Sequence, residues 1–151
     1  MRLWFEMVVD SESISPVQVL VADDEPHIGR IIKMKLEQGP FTVTLAYDGS
    51  EALDILEQQQ DLRLVILDLM MPRLTGLDVL ARMRSDERWK AMPCVILTAA
   101  GQEQHHRRAM ELGASDFLTK PFSPKKLYAK VAMLTGLVAE ELGTGGGGPD
   151  R

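Results

Sequence analysis

Five times between residues 17 and 138 a short apolar run gives way to a longer stretch with apolar side chains every three or four positions. No other feature of the chain constrains its fold as tightly, because the first period belongs to a buried strand and the second to an amphipathic helix. The runs are VQVLVA (17–22), FTVTLA (41–46), RLVILDL (63–69), PCVILT (93–98) and SDFLT (115–119). Helices are expected over 25–38, 48–59, 75–85, 101–112 and from Ser123-Pro124 to Val138. The first has Ile28, Ile31, Ile32 and Leu36 on one stripe, Pro26 in its first turn and Gly39 as its stop. The second opens on an Asp48–Glu51 capping box, the fourth is ended by Gly113, and the last carries Leu127, Val131, Leu134 and Val138 inward.

Alternating strands and helices with short connections imply right-handed crossovers and a parallel sheet covered on both faces. Near-continuous apolar runs such as LVIL fit strands buried on both sides. The expected fold class is therefore α/β, a five-stranded, doubly wound (βα)5 sandwich. Residues 1–16 read as an N-terminal leader, 17–140 as the one folded domain, and the Gly-rich 141–151 as a flexible tail or linker.

In such folds a ligand sits beyond the carboxyl ends of the strands. The first strand leaves Asp23 and Asp24 there, the third Asp68, the fourth Thr98 and the fifth Lys120. Each residue alone has an ordinary structural explanation, but all of them on one rim call for a shared task. Carboxylates about 5 Å apart repel by roughly 3 kcal/mol at an effective dielectric near 20. A hard divalent cation relieves that repulsion, and Mg²⁺ takes carboxylate oxygens, waters and phosphate oxygens. A carboxylate can also attack a phosphoryl group, whose oxygens then need a cation and a hydroxyl donor. Asp68 would be that acceptor, with Lys120 and Thr98 contacting the transferred group.

At these residues the chain resembles the receiver domain of bacterial two-component response regulators. The matching signatures are VLVADDEP (19–26), LVILDLMMPRLTGLDVL (64–80), VILTAAG (95–101) and GASDFLTKPFSP (113–124). The resemblance implies a flavodoxin-like strand order 2-1-3-4-5. It implies that Mg²⁺, or Mn²⁺ in its place, is bound by Asp23, Asp24, Asp68 and the backbone carbonyl of Met70. Asp68 would take its phosphoryl group from a sensor histidine kinase or phosphotransfer protein, and Lys120-Pro121 would be a cis bond. Thr98 and Phe117 match the switch pair, the latter without the hydroxyl of a tyrosine.

Receivers that lose phosphate quickly hold a water with polar side chains at the positions of Met70 and Ala100, so slow autodephosphorylation is expected here. KPFSPKKLYAKV (120–131) resembles a dimerising subgroup, which would make the 101–138 face a homodimer surface with Asp116 and Lys130 as cross-subunit partners. Lys126 departs from the acid common in that subgroup.

Other functions fit less well. An aspartate-nucleophile phosphatase needs a second acid where Met70 stands, and a flavin carrier needs a phosphate loop after the first strand. A phosphorylation-independent interaction module would have no use for the intact five-residue set of Asp23, Asp24, Asp68, Thr98 and Lys120. A receiver fragment of a larger DNA-binding regulator is a further reading, and the Gly-rich tail would suit a linker. With 22 acidic against 17 basic side chains, the net charge of −5 gives this domain no general attraction to nucleic acid or an anionic membrane. Cys94 stands in an apolar run as an inert thiol, and no apolar stretch approaches the roughly 18 residues of a membrane span. The cytoplasm is the expected location, with no enzymatic turnover beyond self-phosphorylation and autodephosphorylation. His105-His106-Arg107-Arg108 reads as a solvated helix face and Trp89 as a loop anchor.

Overall fold

A computed structural model describes residues 15–137; the expected tail, most of the leader and the end of the expected last helix lie outside them. Strands and helices alternate as β1 (Val17–Ala22), α1 (Pro26–Leu36), β2 (Phe41–Ala46), α2 (Gly49–Gln58), β3 (Leu62–Asp68), α3 (Gly76–Arg84), β4 (Cys94–Ala99), α4 (Glu103–Glu111), β5 (Asp116–Lys120) and α5 (Pro124–Leu134). All neighbouring strands are parallel and their order is β2-β1-β3-β4-β5.

Because strand side chains alternate, the apolar runs divide between two cores. Val19, Val21, Leu64, Ile66, Val95 and Leu97 pack with Ile32 and Leu36 of α1 and Leu127 and Val131 of α5. Leu20, Val65, Leu67 and Ile96 turn to the other face, against Ala52 and Leu56 of α2, Val79, Leu80 and Met83 of α3 and Ala109 of α4. Cys94 is fully buried among them, and burial pushes its thiol up to about 12, which leaves it inert.

Helix ends follow local chemistry. Asp48 caps α2 by accepting from the Glu51 amide, while Glu51 reaches back one residue further than expected, to the Tyr47 amide. Thr75 and Asp78 form a reciprocal capping box on α3, and Ser123 caps α5. Gly113 ends α4 with a positive φ, its amide bonded to Met110 and that of Ala114 to Ala109. The same paired closure at Gly136, through Met133 and Ala132, ends α5 at Leu134 instead of Val138. Gly39, expected as a helix stop, has no left-handed φ; a Cβ there would strike the Tyr128 hydroxyl, so close packing is its role. Ile31, expected inside, is exposed, and the buried stripe of α1 is Gly29, Ile32 and Leu36.

Trp89 is buried as a loop anchor, with the Arg88 guanidinium 4.2 Å from its ring centroid. Arg88 also bonds to Glu57 and Asp86. Arg84 bonds from α3 to the carbonyls of Gly113 and Trp89, tying the α4–β5 turn to the α3–β4 connection.

One close approach bears on the rim. Gly76 donates to the Leu69 carbonyl, and a Cβ on it would run into the carbonyl oxygen of Asp68. Only hydrogen fits between the start of α3 and the end of β3. Gly76→Ala should therefore cost about 1–3 kcal/mol, read as a lower urea midpoint with an unchanged m-value. An unchanged midpoint would show that the backbone yields freely here.

Candidate functional site

The carboxyl ends of β1, β3 and β5 meet in one acidic cleft. β1 ends at Ala22, so the next residue, Asp23, leaves the ladder at the rim with 1% of its surface exposed. Asp68 is the last residue of β3 and 5% exposed. Lys120 ends β5, and the cis Lys120-Pro121 bond follows it. Its ammonium nitrogen lies 2.9 Å from Asp23 Oδ2, 2.9 Å from Glu25 Oε1 and 3.2 Å from Asp68 Oδ2.

The sequence reading did not single out Glu25. Carboxylate oxygens of Asp23, Glu25 and Asp68 lie within 4.8 Å of one another, whereas Asp24 is exposed and outside this group. Glu25 is the N-cap residue of α1, with φ −96° and ψ 104°, rather than the helix's first turn. The proline that follows disfavours helical backbone at position 25. The Glu25 amide also donates to Asp23 Oδ1 at 2.9 Å, which fixes that carboxylate.

Three carboxylates facing one ammonium leave a local charge of −2. Burial, and then the charge of Asp23, raise the Asp68 carboxyl to about 7, with Lys120 and the Met70 amide acting against them. Burial alone would lower the Lys120 ammonium, but contacts with Glu25 and Asp23 and the charge of Asp68 outweigh it and raise the group. The hydrogen bond and charge of Lys120 hold Glu25 low. Asp23 Oδ2 is buried and lies close to the ammonium, yet has no well-directed hydrogen bond. An under-bonded oxygen in an all-oxygen, doubly negative cleft fits a hard divalent cation.

The other expected residues frame this cleft. The Met70 amide donates to Asp68 Oδ1 at 3.3 Å, and its side chain is 49% exposed. Ala100 is exposed in the β4–α4 connection. Thr98 is buried, and its hydroxyl lies 3.3 Å from that of Thr119, its partner across the β4–β5 ladder. Phe117 is half-buried and its ring lies against that of His106, with centroids 3.7 Å apart and the planes tilted by 41°. His106 thus leaves the solvated face expected of it, while His105, Arg107 and Arg108 are exposed. Asp116 and Lys130, expected to pair across subunits, pair with each other at 2.9 Å within the chain.

The family model described as "Response regulator receiver domain" matches residues 19–132. The chain is 38% identical over 114 residues to the transcriptional regulatory protein CpxR of Escherichia coli, covering 76% of this chain and 47% of that one. It is 38% identical over 117 residues to the DNA-binding dual master transcriptional regulator RpaA of Synechocystis, covering 78% and 48%. It spans about half the length of the curated relatives it matches. Among solved structures, a Francisella response regulator receiver domain superposes with TM-score 0.73 at 34% identity, covering 80% of this chain and 97% of that one. The chemotaxis response regulator CheY4 of Vibrio cholerae gives 0.73 at 27%, covering 79% and 98%. Among the described residues, no helix is long and apolar enough to cross a membrane.

The raised Asp68 carboxyl has a consequence for stability. In the metal-free fold it keeps a proton that the unfolded chain has lost, so stability falls as pH rises from about 4 to about 7. Asp68→Asn should raise the stability of the chelator-treated protein at pH 8, with the gain shrinking towards pH 4. Mg²⁺ at ten times its Kd should stabilise the parent by about 1.4 kcal/mol and the variant by less. Melting curves with equal Mg²⁺ response in both proteins would place the ion elsewhere.

Proposed function

The chain belongs to the response regulator receiver domain family, and on that premise we propose that Asp68 accepts a phosphoryl group from a sensor histidine kinase or phosphotransfer protein. The convergence of Asp23, Asp68 and Lys120 at three strand ends carries this reading. An Asp68 oxygen attacks phosphorus, the P–N bond to the donor imidazole breaks, and the carboxyl–phosphate bond forms as the imidazole leaves. Lys120, already among the carboxylates, follows the charge onto the phosphoryl oxygens. Thr98 exchanges the Thr119 hydroxyl for a phosphoryl oxygen, which leaves room for Phe117 to turn from His106.

Asp23 and Asp68 would hold Mg²⁺ with the Met70 carbonyl, and Glu25 is the further carboxylate within reach, with Asp24 adjacent. The bound ion would neutralise oxygen charge on the transferred group. The protein so read is a cytoplasmic signalling switch whose product is a changed surface.

Acetyl phosphate with Mg²⁺ should add one acid-stable, base-labile phosphoryl group, visible in intact mass. Asp68→Asn should abolish it; undiminished labelling of that variant would sink the assignment and favour a phosphorylation-independent module.

The lifetime of the adduct follows from Met70 and Ala100. Hydrolysis needs a water in line with phosphorus, and neither side chain can hold one by a strong hydrogen bond. Decay over minutes to hours is expected. Met70→Asn with Ala100→Glu should shorten it several-fold, and a double variant that decays no faster would place control of water elsewhere.

A further inference from the structure

The carboxylate of Glu25 does nothing for its own helix. Glu25 is the N-cap residue of α1, yet its side chain makes no cap hydrogen bond, and its backbone carbonyl accepts from the amides of Ile28 and Gly29. A serine or an aspartate would cap there. The longer glutamate instead reaches the Lys120 ammonium, 95 positions along the chain, at 2.9 Å. Strand order puts β3 and β4 between β1 and β5, so this pair runs across the carboxyl end of β3, where Asp68 stands. Side-chain exposure falls inward along it, from 52% at Glu25 to 17% at Lys120 and 8% at Asp68. Glu25 and Lys120 bar the mouth of the cleft.

The bar leaves a deeper contact incomplete. The two well-directed hydrogen bonds of the ammonium go to Glu25 and Asp68. Asp23 Oδ2 lies 2.9 Å from the same nitrogen on a fully buried side chain, and has no directed bond. An under-bonded carboxylate is most costly where water is excluded, so Asp23 would claim the ammonium unless something drew it outward. Glu25 supplies that draw, and the bond from Lys120 in turn holds its carboxyl low. A phosphoryl oxygen on Asp68 needs one of these N–H groups. Giving up a buried partner would strand its charge, whereas water readily replaces a half-exposed one. Glu25 is the partner to be released.

We infer that Glu25 is a positioning residue for phosphoryl transfer: it parks Lys120 across the mouth of the cleft, and the pair must part before the ammonium can follow the incoming phosphoryl group. The inference rests on the reading of Asp68 as the acceptor and adds a brake to it. Removing the Glu25 charge speeds the gain of the phosphoryl group. The rest of the cleft stays in place, since the Glu25 amide keeps its bond to Asp23 Oδ1 whatever side chain follows it. Carboxylate oxygens of Glu25, Asp23 and Asp68 also lie close enough to share a divalent cation. That role predicts the reverse, a weaker ion site and a slower gain.

Glu25→Gln keeps the shape and loses the charge, and three measurements on the 151-residue protein test it. In chelator-treated protein, the proton–nitrogen NMR signal of the Lys120 ammonium, assigned by its loss in Lys120→Met, should move in Glu25→Gln. An unmoved signal would show that Glu25 anchors nothing. Calorimetric titration with Mg²⁺ should give the variant the parent's Kd to within about twofold; a loss of about tenfold, the size of a lost ligand-shell contact, would make Glu25 an ion ligand and overturn the inference. With saturating Mg²⁺ and acetyl phosphate, intact mass should show labelling about three- to fivefold faster in Glu25→Gln, the factor that releasing an exposed ion pair allows. The acceleration should persist in about 0.5 M salt, where the Debye length is roughly 4 Å. A gain abolished by salt would assign it to long-range repulsion of the donor, and equal rates would remove the brake. Either result overturns the inference while Asp68 remains the acceptor. No labelling of the parent or the variant overturns the acceptor reading, and the brake with it.

Discussion

The organising constraint of this molecule is a charge imbalance set at the ends of buried strands. Asp23, Glu25 and Asp68 share one ammonium, Lys120. Burial disfavours the charged form of Asp68 and the charge of Asp23 adds to it, which is why the Asp68 carboxyl rises to about 7. Only a stiff frame can hold like charges this close. The frame here is a five-stranded sheet packed on both faces, with α3 set against the backbone of Asp68 where Gly76 permits it. The stability of the two cores is what lets the rim remain unfavourable.

That division of labour explains what was legible in the sequence. Asp68, Thr98 and Lys120 could be placed because each closes an apolar run, and the end of a run marks the end of a strand. Strand order could not be read from periodicity and came with the family resemblance. Glu25 was hidden inside an expected helix, and its signal was the following Pro26, which makes residue 25 an extended cap. Gly29 misled in the opposite direction. A buried glycine lets α1 lie close to Leu45 but adds nothing to an apolar stripe, so Ile31 was counted in its place.

Contacts between distant segments were the least legible. Asp116 and Lys130 are separated by a strand, a turn and part of a helix, and nothing in their spacing shows that they meet within one chain. His106 looked like part of a cationic run until α4 was packed beside β5 and its ring met Phe117. The last helix was carried past Gly136 because Leu134 and Val138 keep the helical spacing. The left-handed glycine between them decides the matter, since its closing bonds satisfy the last carbonyls.

The rest position of the proposed switch follows from the same parallel register. Thr98 stands opposite Thr119, and Phe117, two residues earlier on β5, shares their side of the sheet. A cavity of about 60 Å³ lies beside Thr98, Thr119 and His106. The hydroxyl contact at 3.3 Å is longer than the usual 2.7–2.8 Å of such bonds, so Thr98 has little to lose by turning to a phosphoryl oxygen. Against that stands the tilted ring contact of Phe117 with His106, of the order of 1 kcal/mol for an aromatic pair. A barrier of contacts this small can be outweighed by one charge-assisted hydrogen bond, worth about 1.5–3 kcal/mol. In the proposed switch the imbalance at the rim is carried to the α4–β5–α5 face by two side chains, Thr98 and Phe117, the second packed against the edge of one core.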